Sequence, residues 1–72
     1  MIIKKKSICG GKASFEGTRI PVWSIVKYFK VKVSDRELLD TYPSLNLGLL
    51  DEARVYYDKN KEEIDKDIRE NS

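Results

Sequence analysis

Apolar positions along this chain recur at helical spacing in four stretches, and the first of them starts just after a glycine-rich segment. Val22, Ile25, Val26 and Phe29 fall at i, i+3, i+4 and i+7, one face of a helix over about Pro21 to Phe29. Trp23 lies just off that stripe, and core or interface packing is its expected role. The β-branched run Val31-Lys32-Val33 ends this helix. With no glycine after it, the boundary is expected to be soft. A second helix opens on Ser34-Asp35-Arg36-Glu37, a capping box, with Val33 placed to staple against Leu38. Leu38, Leu39 and Tyr42 form its inner face, and Pro43 stops it. After a tight turn, Asn46 caps a third helix. Leu47, Leu50, Ala53 and Tyr57 line one side of it, with Leu49 and Tyr56 on an adjacent strip. A last helix is expected from about Lys61 to Glu70, capped by Asn60 with Glu63. Only Ile64 and Ile68 hold it down, so it should fray or depend on a partner.

Ahead of the helices the pattern shortens. Ile2-Ile3 and Ile8 bracket a lysine run that suits a protected edge strand. Ala13 and Phe15 alternate with Ser14 and Glu16 in a second short strand. Gly11 and Gly17 read as the two bends of an arm. The expected class is mainly α: a small three- to four-helix bundle of helix-turn-helix proportions with a short N-terminal β arm. The expected division is an arm over 1–20, a bundle over 21–58 and an acidic C-terminal helix over 59–72.

Seventy-two residues make one small domain with little core to spare, so a second copy or a partner is expected to bury apolar surface. A lone cysteine, Cys9, cannot close an internal disulfide, which points to a reducing compartment. No apolar run approaches the roughly 18 residues of a membrane span. The start of the chain has no signal-peptide pattern, and a cytoplasmic location is expected.

Charge changes the picture more than composition does. Residues 1–33 carry eight basic residues against Glu16 alone, whereas residues 34–72 carry six basic residues against eleven acidic ones. The basic front half suits phosphate backbones and the acidic back half suits a basic protein. Solvated faces account for such runs equally well. The second and third helices have helix-turn-helix proportions. Yet the exposed start of the third offers Asn46, Asp51 and Glu52 beside Arg54, and only Arg54 is suited to pair with guanine. Phosphate contacts would therefore come from the arm and first helix.

Catalysis is not expected. The chain has no histidine, which removes the commonest acid–base group and metal ligand. Cys9 has no base to activate it and reads as a structural thiol. The acidic clusters lack the alternating loop of a calcium site. Gly10-Gly11-Lys12 lacks the spacing of a phosphate-cradling loop. No cofactor or metal is expected.

The segment Gly11-Lys12-Ala13-Ser14-Phe15-Glu16-Gly17-Thr18-Arg19-Ile20-Pro21-Val22, followed by Ser34-Asp35-Arg36-Glu37-Leu38-Leu39-Asp40-Thr41-Tyr42-Pro43-Ser44-Leu45, resembles a prokaryotic family of unknown function, DUF433, described as VapB-like antitoxins. The resemblance runs from about Ile8 to Ile64. It implies a homeodomain-like helical bundle with a β arm, commonly dimeric. It also implies a PIN-like ribonuclease toxin as partner and the chain's own operator DNA as a further ligand. The family usually has proline after Gly-Lys, where this chain has Ala13, which loosens the arm. The resemblance brings no catalytic residue.

On this reading DNA would meet Lys4, Lys5, Lys6, Lys12, Arg19, Lys27, Lys30 and Arg54. A toxin's basic groove would meet Glu62, Glu63, Asp65 and Asp67, with Ile64 and Ile68. For Arg19 a structural ion pair to a carboxylate such as Asp40 is favoured over a phosphate contact. The competing reading is a protein-interaction adaptor without nucleic-acid binding; a third is a dimeric DNA-binding regulator with no toxin.

Overall fold

The computed structural model describes residues 1–71; Ser72, the end of the expected 59–72 segment, lies outside them. Two short strands, β1 (Ile2–Ile3) and β2 (Ser14–Phe15), pair antiparallel with Ile2 opposite Phe15 and Ile3 opposite Ser14. Four helices follow: α1 (Val22–Lys30), α2 (Asp35–Thr41), α3 (Leu47–Lys59) and α4 (Lys61–Asn71). The expected mainly helical bundle with an N-terminal β arm is the architecture found.

The lysine run leaves the sheet after Ile3 and turns back through Cys9–Gly11. There Cys9, Gly10 and Gly11 take φ values of 52°, 63° and 86° in succession. The two glycines adopt this left-handed region at no steric cost. Ala13, Ser14 and Phe15 are all buried, so the expected in–out alternation of this strand is not what the structure has. The arm is covered on both faces, and Ser14 Oγ is buried without a hydrogen-bond partner among the described residues.

The Gly-Thr-Arg-Ile-Pro-Val segment is a self-bonded loop. Gly17 has φ 79°. Thr18 Oγ1 donates to the Phe15 carbonyl at 2.8 Å and accepts from the Ile20 amide at 3.1 Å. The Phe15 amide reaches back to the Ile20 carbonyl at 3.2 Å, and the Val22 amide to the Ala13 carbonyl at 2.9 Å. Pro21, extended at φ −75°, is the N-cap of α1. No ion pair joins Arg19 to Asp40 among the described residues, which corrects the structural role expected for that side chain. Its carbonyl instead accepts from Cys9 Sγ at 3.2 Å, and the side chain is exposed.

Val22, Ile25 and Val26 of α1 are buried, with Phe29 packed beside them. The helix ends sharply rather than softly. Lys32 takes the left-handed conformation at φ 65°. Its amide bonds the Phe29 carbonyl at 3.1 Å, and the Val33 amide bonds the Tyr28 carbonyl at 3.1 Å. This is a Schellman closure with lysine in the place glycine usually takes. Lys32→Gly should therefore raise stability by about 0.5–1 kcal/mol, measured as a higher urea midpoint at unchanged slope.

Ser34 Oγ accepts from the Glu37 amide at 3.2 Å and Asn46 Oδ1 from the Leu49 amide at 2.9 Å, so both expected N-caps form. Leu38, Leu50 and Ala53 are buried between the helices. Leu47 departs from its expected inward place and is 57% exposed. It sits in the first turn of α3, and the core is closed there by Leu45, which is 6% exposed. Asn60 meets its expected place only in part: its carbonyl accepts from the Ile64 amide at 3.1 Å at the start of α4, but the side chain turns the other way. Its side chain donates to the Tyr56 carbonyl at 3.0 Å, closing the end of α3. α4 lies chiefly against α1. Ile64 is fully buried and Ile68 packs on the core, so this helix is a docked element rather than a loose tail.

Candidate nucleic-acid and protein interaction surfaces

The fold brings the basic first half of the chain onto the acidic last helix. Lys4, just beyond β1, meets Glu63 of α4 at 2.9 Å, and both Glu63 oxygens also accept from the Tyr56 hydroxyl at 3.1 and 3.0 Å. Lys30, at the end of α1, meets Asp65 at 2.6 Å, and the Tyr57 hydroxyl donates to the same oxygen at 2.9 Å. Lys30 also sits 5.2 Å from the centre of the Tyr57 ring. Lys12 reaches Glu70 at 3.7 Å. Arg54 bonds Asp51 within α3 at 3.1 Å, pairs with Asp35 of α2, and lies 4.3 Å from the Phe29 ring centre.

Four of the eight cations expected at phosphates are thus occupied within the chain. The three lysine pairs are half-exposed and weak one by one, and together they orient α4, whereas Arg54 ties α3 to α2. Lys5, Lys6, Arg19 and Lys27 are exposed and make no ion pair among the described residues. Within the arm Gly11 lies against the Lys6 backbone, and Cys9 Sγ donates to the Arg19 carbonyl.

The residues expected to meet a basic protein are dispersed around α4. Ile64 is core. Ile68 packs on the core. Glu63 and Asp65 face lysines and tyrosines of the same chain, and Glu62 is exposed. Asp67 is 8% exposed.

Electrostatics separates two carboxylates two residues apart. The hydrogen bonds from Lys30 and then Tyr57 hold Asp65 below the usual carboxylate range. Burial pushes Asp67 up; Glu63 and Glu70 add to this, while Lys12 and Lys4 oppose it. The same contacts hold the Lys30 and Lys4 ammonium groups above their ordinary value, chiefly through Asp65 and Glu63. A carboxyl raised in the folded state binds more protons folded than unfolded. Asp67 therefore lowers stability as pH rises above the unfolded value of 3.8 and through its raised folded value. Asp67→Asn should raise the thermal midpoint at pH about 7 and leave it nearly unchanged near pH about 3. An equal shift at both values would show that burial of this charge is not the cause.

A surface that sequence reasoning did not single out lies on the outer side of α3. Leu47 and Val55 are 57% and 53% exposed. Beside them runs a groove of about 440 Å³ lined by Ile2, Gly48, Asp51, Glu52, Val55, Tyr56, Lys59 and Asn60. The sequence signal was present: Val55 falls outside both apolar strips of α3. The exposed face of α3 therefore carries Leu47 and Val55 beside Asp51, Glu52 and Lys59. Among the described residues no group of three potential metal ligands is assembled. No helix among the described residues is long and apolar enough to cross a membrane.

No functionally curated protein matches this chain. A crystal structure of a DUF433 member protein from Anabaena variabilis ATCC 29413 superposes with a TM-score of 0.90 at 43% identity, covering 94% of this chain and 67% of that one. The model of a family described as protein of unknown function, DUF433, matches residues 2–57, spanning the arm and the first three helices. On fold, motif and sequence together, the chain belongs to the DUF433 family.

Proposed function

We propose that this chain is an antitoxin-like protein of a two-gene toxin–antitoxin pair, which neutralises a PIN-like ribonuclease by direct contact and binds its own operator. The observation that carries the reading is the chemical separation of two surfaces. Lys5, Lys6 and Arg19, which make no ion pair among the described residues, lie on the arm and its loops. The outer face of α3 presents Leu47, Val55, Asp51 and Glu52. The first suits a phosphate backbone, the second a protein. The family resemblance read from the sequence motivates the pairing of these two tasks.

Operator binding is measured against scrambled DNA of equal length at about 0.15 M salt, where only a specificity ratio is informative. Inhibition of a purified PIN-like ribonuclease is measured separately on an RNA substrate. Preference for the operator together with inhibition is the expected result. Inhibition without DNA preference would favour a protein-interaction adaptor, a reading supported by the internal pairing of Lys4, Lys12, Lys30 and Arg54. The absence of both activities would refute the proposal.

A further inference from the structure

Along a helix, positions seven apart return to one side and positions two apart point to opposite sides. Glu63 and Glu70 of α4 accordingly both face the arm, where they meet Lys4 at 2.9 Å and Lys12 at 3.7 Å. Asp65 faces the other way and meets Lys30 of α1 at 2.6 Å. Ile64 fixes the buried side between them. Lys66 and Arg69 are left with Glu62 on the exposed outer side. The two flanks of α4 are thus acidic, and the walls they lie against are basic. Two tyrosines of α3 hold the carboxylates where they are. The Tyr56 hydroxyl donates to both oxygens of Glu63 at 3.1 and 3.0 Å, and the Tyr57 hydroxyl to Asp65 at 2.9 Å.

We infer that α4 is an internal anionic cover, which occupies the basic cradle of Lys4, Lys12 and Lys30 as a polyanion would and so limits how strongly the chain binds duplex DNA. The driving force for phosphate binding is release of the mobile counterions that a free cation and the duplex hold. A lysine already neutralised by a fixed carboxylate has little of that to offer. Each pair is weak by itself. Here three act together, and the tyrosine hydroxyls keep two of the carboxylates from swinging clear. The cover needs no movement of α4: Ile64 keeps the helix docked, and phosphates compete with carboxylates for the same ammonium groups. The inference rests on the reading of the arm as a phosphate-facing surface, and on neither a particular operator nor a toxin.

Binding of the full chain to scrambled duplex DNA over a range of salt tests it, with circular dichroism as the check on folding. Glu63→Gln, Asp65→Asn and Glu70→Gln together remove the charges but keep the side-chain volumes and the acceptors for both tyrosines. This triple should bind at least about tenfold more tightly at about 0.15 M salt, and its slope of log affinity against log salt should steepen by about 2–3. Glu37→Gln, Asp40→Asn and Glu62→Gln change the net charge equally, at exposed carboxylates that make no ion pair among the described residues. Charges away from the cradle are screened over about 8 Å, so this control should gain less than about threefold. Adding Lys4→Ala, Lys12→Ala and Lys30→Ala to the first triple should abolish its gain. No gain from the first triple, an equal gain from the control, or a gain that survives loss of the three lysines would overturn the inference. Operator preference is a ratio between two DNA sequences and is read separately. A chain that prefers its operator but shows no gain here loses the cover alone, and one that shows the gain without any preference loses operator binding alone.

Discussion

Ile64→Ala should cost about 2–5 kcal/mol, the range for removing a fully buried aliphatic side chain where the neighbours only partly collapse. A domain of this size is stabilised by roughly 4–11 kcal/mol in all, so this one change removes a large share of it. Ile64 is wholly enclosed at the contact of α4 with α1 and belongs to the same cluster as Val22, Ile25 and Val26. Its loss should undock α4 first, seen as early amide exchange over residues 61–71 and a lower urea midpoint. Glu63→Gln, which disrupts the tie to Lys4 and Tyr56, should shift the midpoint by less than about 1 kcal/mol because the pair is half-exposed. An Ile64→Ala midpoint equal to that of wild type would mean that α4 is not part of the core.

The second large effect concerns DNA. Replacing Lys5, Lys6 and Arg19 together by alanine should weaken operator binding on the order of 100-fold at about 0.15 M salt. The slope of log affinity against log salt should fall by about 2–3. The matched triple at Lys4, Lys12 and Lys30 should change that slope by less than about 1, because those cations already face Glu63, Glu70 and Asp65. Equal losses from both triples would show that phosphates displace the internal carboxylates. The measurement therefore distinguishes surface charge from charge that the fold has already used.

What was legible in the sequence follows from the range of the interactions involved. Caps are local, and Ser34 and Asn46 accept from the amides their spacing predicts. The α1 face was equally legible, because Val22, Ile25, Val26 and Phe29 need only one periodicity. Lys32 was not, since a left-handed lysine has no compositional mark and is set by the closing bonds around it. The sites were harder still. Glu63, Asp65 and Glu70 read as a solvated acidic face until the fold laid the arm and α1 beside α4. Their partners Lys4, Lys30 and Lys12 are between 35 and 59 positions away in the chain. Asn60 serves both helices: its carbonyl accepts from the Ile64 amide as the residue ahead of α4 should, while its side chain closes α3 on the Tyr56 carbonyl, a choice that only the fold decides.

The Gly-Thr-Arg-Ile-Pro-Val loop has a consequence for recognition. Gly17 supplies a bend, Thr18 clamps it from both sides, Ile20 packs on the core, Pro21 caps α1 and Val22 is buried. Every side chain of the segment except that of Arg19 is committed to shape. Its backbone is held on one side by Thr18 and at its own carbonyl by Cys9. The guanidinium is thus displayed on a mount whose main-chain freedom was lost on folding, so a ligand that engages it has only the side-chain rotamers left to order.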